Sequence, residues 1–147
     1  MADNYQLFSE VLPTLTADER QWLQLVLTDV ADAKLLHDTG INVSGVDLDD
    51  WPGFQWEIDP AKGDFRLYAR EHGNVSHAGE IVRALLARFR PADCWQLTWA
   101  ETCSSPRVGE FGGGGLFVTA RSVRTFSAGD WVERQREAFR GRSPRRK

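Results

Sequence analysis

The stretch CWQLTWAETCSSPRVGEFGGGGLFVTA, Cys94–Ala120, decides how this chain folds. Two aromatic, β-prone runs, Trp95–Ala100 and Leu116–Ala120, flank a polar loop that ends in four consecutive glycines, Gly112 to Gly115. Glycine loses more backbone freedom on ordering than any other residue, so a run of four between strands is destabilising. Such a run needs a reason: an unusual backbone path, or the close approach of another backbone or a ligand. Alternating apolar residues on both sides make the stretch a strand pair, and the rest of the fold is read outward from it.

Upstream, Ala78, Ile81, Val82, Leu85, Leu86 and Phe89 recur at helical spacing between Asn74 or Ser76, either of which can cap, and Pro91, which ends the helix. Further back, Phe54–Ile58 and Phe65–Ala69 alternate with period 2 around Asp-Pro-Ala-Lys-Gly-Asp, a hairpin. Phe54, Trp56 and Ile58 share one face with Phe65, Leu67 and Ala69. Thr16-Ala-Asp-Glu19 is a capping box, and the stripe Trp22, Leu23, Val26, Leu27, Val30, Leu35, Leu36 predicts one helix running to Gly40. Tyr5–Leu12 is a short amphipathic piece closed by Pro13 and is counted as the first helix. The strand Leu116–Ala120 extends towards Phe126, and a last amphipathic helix covers Trp131–Phe139. The expected order is α-α-β-β-α-β-β-α: an α+β fold whose antiparallel sheet of about four strands carries its helices on one face.

A chain of 147 residues suits one domain, here 1–140, with 141–147 a disordered basic tail. No apolar run approaches the roughly 20 residues that cross a bilayer, and the start MADNYQLFSE lacks a basic, apolar leader. Cys94 and Cys103 are too few for a disulfide framework or a cysteine zinc site. A cytoplasmic protein without membrane contact is expected.

Charge is unevenly spread. Met1–Val75 carries a balance of −9, Ser76–Glu133 is neutral, and Arg134–Lys147 carries +6. The carboxylates of the first half, among them Asp29, Asp32, Asp38, Asp47, Asp49, Asp50, Glu57, Asp59 and Asp64, can form one negative face. That face suits a basic protein surface, including one that normally holds nucleic acid, by charge complementarity. The expected partner-binding residues are Asp47, Asp49, Asp50, Glu57 and Asp59, with Trp51 as an aromatic anchor in the rim.

The alternative site is the loop Glu101–Gly115. Gly112 and Gly113 would offer amides to an anion, Arg107 positive charge, and Glu101 or Glu110 proton transfer, with His77 assisting. Cys103 could act as a nucleophile, with His72 or His77 as base and Glu101 as orienter, but no spacing requires them to meet. The signatures of phosphate-binding glycine loops are absent, and a wide hairpin with a β-bulge explains the glycines without a ligand. His72, His77, Asp64 and Glu71 lack metal-ligand spacing, and Asp47, Asp49 and Asp50 lack the spacing of a calcium loop. No catalytic residue, metal or cofactor is assigned. Direct nucleic-acid contact is a weaker option, through Arg121, Arg124 and the tail.

Gly73-Asn-Val-Ser-His77, Phe89-Arg-Pro91, Leu97-Thr-Trp-Ala100 and Pro106-Arg-Val-Gly-Glu-Phe-Gly-Gly113 resemble uncharacterised small proteins carried by bacterial plasmids, integrative elements and phages. The resemblance covers Phe54–Val132 and transfers no catalytic or binding residue. It implies a setting, accessory cargo of mobile DNA, in which small acidic proteins often resemble inhibitors of restriction or CRISPR systems. The expectation is therefore a non-enzymatic acidic interaction protein.

Overall fold

A computed structural model describes residues 4–142. The elements run β1 (Asn4–Leu12), α1 (Ala17–Val26), α2 (Ala33–Asp38), β2 (Gln55–Ile58), β3 (Phe65–Ala69), α3 (Val75–Phe89), β4 (Cys94–Cys103), β5 (Gly112–Thr119), β6 (Val123–Ser127) and α4 (Ala128–Arg142). Two single-turn 3-10 helices, Val43–Gly45 and Leu48–Asp50, lie between α2 and β2. The six strands form one antiparallel sheet in the order β2-β3-β1-β4-β5-β6. The α+β class is as expected; the strand count is six where about four were expected.

Both extra strands have a physical explanation. In Tyr5–Leu12 the apolar residues Leu7, Phe8, Val11 and Leu12 fit helical spacing, yet the segment is the strand β1. Its first half pairs with β4 (Asn4 opposite Cys103, Leu7 opposite Ala100) and its second half with β3 (Phe8 opposite Ala69, Leu12 opposite Phe65). Phe8 and Leu12 turn into the core on one face of the strand, while Val11, on the other, is 41% exposed, so the apolar residues of β1 do not mark a single face. At the other end, Ala120–Ser122 turns the chain back, so the run towards Phe126 is a separate edge strand, β6.

The stripe expected to form one helix to Gly40 is two helices. Asp32 accepts a 2.8 Å bond from Leu35 N and caps α2 instead of continuing α1. Val30 accordingly leaves the core and is 85% exposed. The Trp22 indole holds α2 back against α1 by donating to Thr39 O at 3.0 Å. The Thr16–Glu19 capping box forms with both its bonds (2.9 and 3.1 Å).

One face of the sheet carries the core. Phe8, Leu12, Phe65, Leu67, Trp95, Leu97, Leu116 and Val118 form a single cluster with Trp22, Leu23 and Val26 of α1 and Ala78, Ile81, Val82, Leu85 and Leu86 of α3. The last helix begins at Ala128, earlier than expected, and buries no residue. Gly141 and Arg142 belong to it; the rest of the segment expected as a tail, 143–147, lies outside the described residues.

The glycine run is explained by packing. The ring of Trp99 lies across Gly114, where a Cβ would stand 2.7 Å from two ring carbons and would collide with Phe126 O. Gly112–Gly115 pair with Glu101–Thr98 in β4, so their backbone belongs to the sheet ladder.

Candidate functional site

The segment between α2 and β2 must cross the N-terminal end of α3 to reach the sheet, and it is fastened there by buried side chains. Asp47 N donates to Nε2 of His77 at 3.0 Å; His77 Nδ1, which then carries the proton, donates to Pro52 O at 3.1 Å. His77 is 1% exposed, and its ring lies 4.9 Å from that of Trp51. Trp51 is itself buried, and its Nε1 donates to Val26 O at 2.7 Å. Asp47 caps the 3-10 turn Leu48–Asp50 by accepting from Asp49 N at 3.1 Å, and Asp50 accepts from Asn74 Nδ2 at 3.2 Å. Asn74 in turn caps α3 through His77 N.

The result is a ledge on which Asp47, Asp49 and Asp50 are exposed while the backbone beneath them is tied to the core. The other expected partner-binding residues fall elsewhere. Trp51 is core, not rim: its ring area and its indole N–H are both used inside the protein. Glu57 pairs with Arg66 across the β2–β3 hairpin at 3.0 Å. Asp59 accepts from Ala61 N (2.8 Å) and Lys62 N (3.1 Å), bonds that hold its carboxyl below the usual aspartate range. Several other carboxylates of the acidic half also have structural duties: Asp32 caps α2, Asp38 pairs with Lys34 and Asp64 accepts from Thr14 N.

Beside the ledge, three adjoining open depressions share His72 or Asp50. One, of about 540 Å³, is lined by Asp50, Arg70, Glu71 and His72. Another, of about 380 Å³, adds Gln6 and Asn74, and a third, of about 310 Å³, brings Gln6 and His72 to Glu101 and Glu110. The pairing of β1 with β4 is what sets Gln6 opposite Glu101. Gln6 was not among the expected site residues, and no local signal marks it, because its place follows from a strand pairing distant in sequence; His72, named as a base for Cys103, lines this depression without Cys103.

The alternative loop site divides. Glu101 and Glu110 share a depression, but Arg107 and Cys103 do not line it. Arg107 is exposed in the 104–111 loop, and Gly112 and Gly113 are strand residues. Cys94 and Cys103 stand nine residues apart on β4, about 30 Å at the rise of a strand, so they cannot bridge. Among the described residues, no group of three or more His, Cys, Asp or Glu side chains is placed to hold a metal ion. No helix of the described residues is long and apolar enough to cross a membrane.

The chain matches no protein-family model, no curated protein and no solved structure.

Proposed function

We propose that this chain is a non-enzymatic interaction protein that sets the Asp47–Asp50 ledge against a basic protein surface. The observation that carries this reading is the exposure of three carboxylates on a backbone fastened by Trp51 and His77. A fixed array of charge binds without the cost of ordering a loop. The neighbouring depressions add Glu71, beside Arg70, and Glu101 with Glu110. A surface of this kind suits lysines and arginines that otherwise hold nucleic acid. With the mobile-element resemblance, the partner would be a host nucleic-acid-handling or defence protein, a restriction or CRISPR component among them.

A second reading has its own observation. His72, Glu101, Glu110 and Gln6 line one depression, and this set could bind a small cationic ligand or move a proton. Affinity capture from the host followed by titration of the captured complex separates the two. Dissociation by moderate salt and by Asp49→Lys supports the ledge. Loss of binding with Glu101→Gln, with Asp49→Lys silent, transfers the function to the depression.

A further inference from the structure

We propose that the outer face of the sheet binds single-stranded nucleic acid, its bases stacking on Phe117 and Phe126 and its phosphates held by Arg66, Arg70 and Arg124. The helices α1 and α3 pack on the other face, and alternation along each strand leaves a second set of side chains pointing away from them. The ladder pairings align that set into rows across the sheet. Tyr68 stands opposite Ser9, Thr98 opposite Gly115, and Gly115 opposite Phe126. The Leu7–Ala100 register, continued by one outward position, sets Ser9 beside Thr98. The row from Tyr68 to Phe126 spans four strand spacings, about 19 Å, with only small residues between its two rings. The adjoining row starts from Arg66 and ends at Phe117 and Arg124. Phe117 and Phe126 are 45% and 49% exposed.

Charge on this face selects the occupant. The outward strand positions carry Glu57, Arg66 and Arg124, and Arg70 follows β3 in the same phase. Among the described residues Glu57 is the one carboxylate in that phase of the strands, and it is bonded to Arg66 at 3.0 Å. Glu10 and Glu101 fall in the opposite phase, with Leu67 and Trp99. Arg66 and Arg70 flank the Tyr68 ring, their guanidinium carbons 4.6 and 5.9 Å from its centre; Arg70 also borders the depression that holds Asp50 and Glu71. Rings stack on the faces of bases, and arginine meets phosphate through paired bonds. Ser9, Gln96 and Thr98 offer neutral donors and acceptors to base edges. A second sheet or a helix would require an apolar face in their place.

Gly115 supports the same reading independently. The collisions at Gly114 fix the glycine run there, but a Cβ at Gly115 would meet nothing closer than Leu97 O at 3.5 Å. A glycine inside a strand weakens it and marks a place where a ligand can approach the backbone. Gly115 lies in the row beside Phe126, where any side chain would stand up from the floor between the two rings.

The test is fluorescence anisotropy of a labelled strand of about 15 nucleotides, as RNA and as DNA, titrated with the full chain in low salt, with the duplex of the same sequence for comparison. Binding of either single strand is expected, with the duplex about tenfold weaker or more, because paired bases offer the rings no free face. Phe126→Ala should weaken single-strand binding about tenfold, the loss of one stacked base. Arg124→Gln should lower the slope of log affinity against log salt by about 0.7, one phosphate contact. Gly115→Val should weaken binding more than tenfold while the thermal midpoint holds or rises, since valine suits a strand. Binding of neither strand, equal binding of the duplex, or indifference to Phe126→Ala and Gly115→Val would each overturn the proposal. So would complete loss of binding on deleting 143–147 from a chain that still folds, because the contact would then be terminal charge alone. Asp49→Lys should not weaken this binding, so failure here and failure of the ledge are distinguishable.

Discussion

The indole of Trp51 and the carbonyl of Val26 are joined by a 2.7 Å hydrogen bond inside the core. Val26 is the last residue of α1, so its carbonyl is one of the groups a helix end leaves without an internal partner. One bond therefore completes α1 and fastens the residue that follows Asp50. Trp51→Phe keeps most of the ring but leaves that carbonyl unpaired in the interior. A loss of about 1–3 kcal/mol is expected, read as a lower urea midpoint at unchanged slope. Trp51→Phe at wild-type stability would show that the ledge is not anchored through this bond.

Glu19 predicts how the fold responds to acid. It is 1% exposed and bonds Arg90 at 2.5 Å, while Arg90 also donates to Pro13 O and Thr14 O. Burial pushes the Glu19 carboxyl up, but the bonds from Arg90 and Thr16 outweigh it and bring it below the usual value. A lowered folded-state value contributes stability that is present above the unfolded glutamate pKa, near 4.3, and is lost as pH falls through the folded value. The thermal midpoint should thus drop in acid, and Glu19→Gln should lower it at pH 7 while flattening the acid limb. Arg90→Ala leaves a buried carboxylate without its cation and should cost about 3 kcal/mol or more.

Much of this architecture is legible in the residues themselves. The period-2 run Phe65, Leu67, Ala69 and the stripe Ala78–Leu86 leave little choice, because each buries one side only. The Thr16–Glu19 box locates a helix start from four residues. β1 is different: its apolar residues satisfy two periods at once, and only pairing with β3 and β4, some sixty and ninety residues away, selects the strand. The candidate site was partly legible for the same reason. Asp47, Asp49 and Asp50 are exposed as their composition suggests, whereas Trp51 looks like an exposed anchor until Val26 and His77 are folded against it.

The glycine run offers a paired test on neighbouring residues. A Cβ at Gly114 would press into the Trp99 ring and the Phe126 carbonyl, while one at Gly115 would meet Leu97 O at 3.5 Å and Thr98 Cγ2 at 3.8 Å, ordinary contacts. Gly114→Ala should therefore cost about 1–3 kcal/mol as overpacking. Gly115→Ala should be neutral or slightly stabilising, because alanine restricts the unfolded chain. Equal effects at the two positions in thermal denaturation would remove the packing explanation and reopen a ligand-based one.

Charge and rigidity make separable contributions to the ledge, and His77 tells them apart. His77→Ala removes no carboxylate but deletes the acceptor for Asp47 N and the donor to Pro52 O, and it empties a site that is 99% covered. Stability should fall by about 2–4 kcal/mol from the cavity and the lost bonds, and amide exchange at Asp47 should quicken selectively. For a basic partner, Asp49→Lys should slow association and flatten its dependence on salt. His77→Ala should leave that salt dependence unchanged and instead speed dissociation, since the charges remain while their positions are no longer held. Were both variants to alter only the association rate, the carboxylates would be acting through their number alone, and the bonds beneath them would have no part in binding.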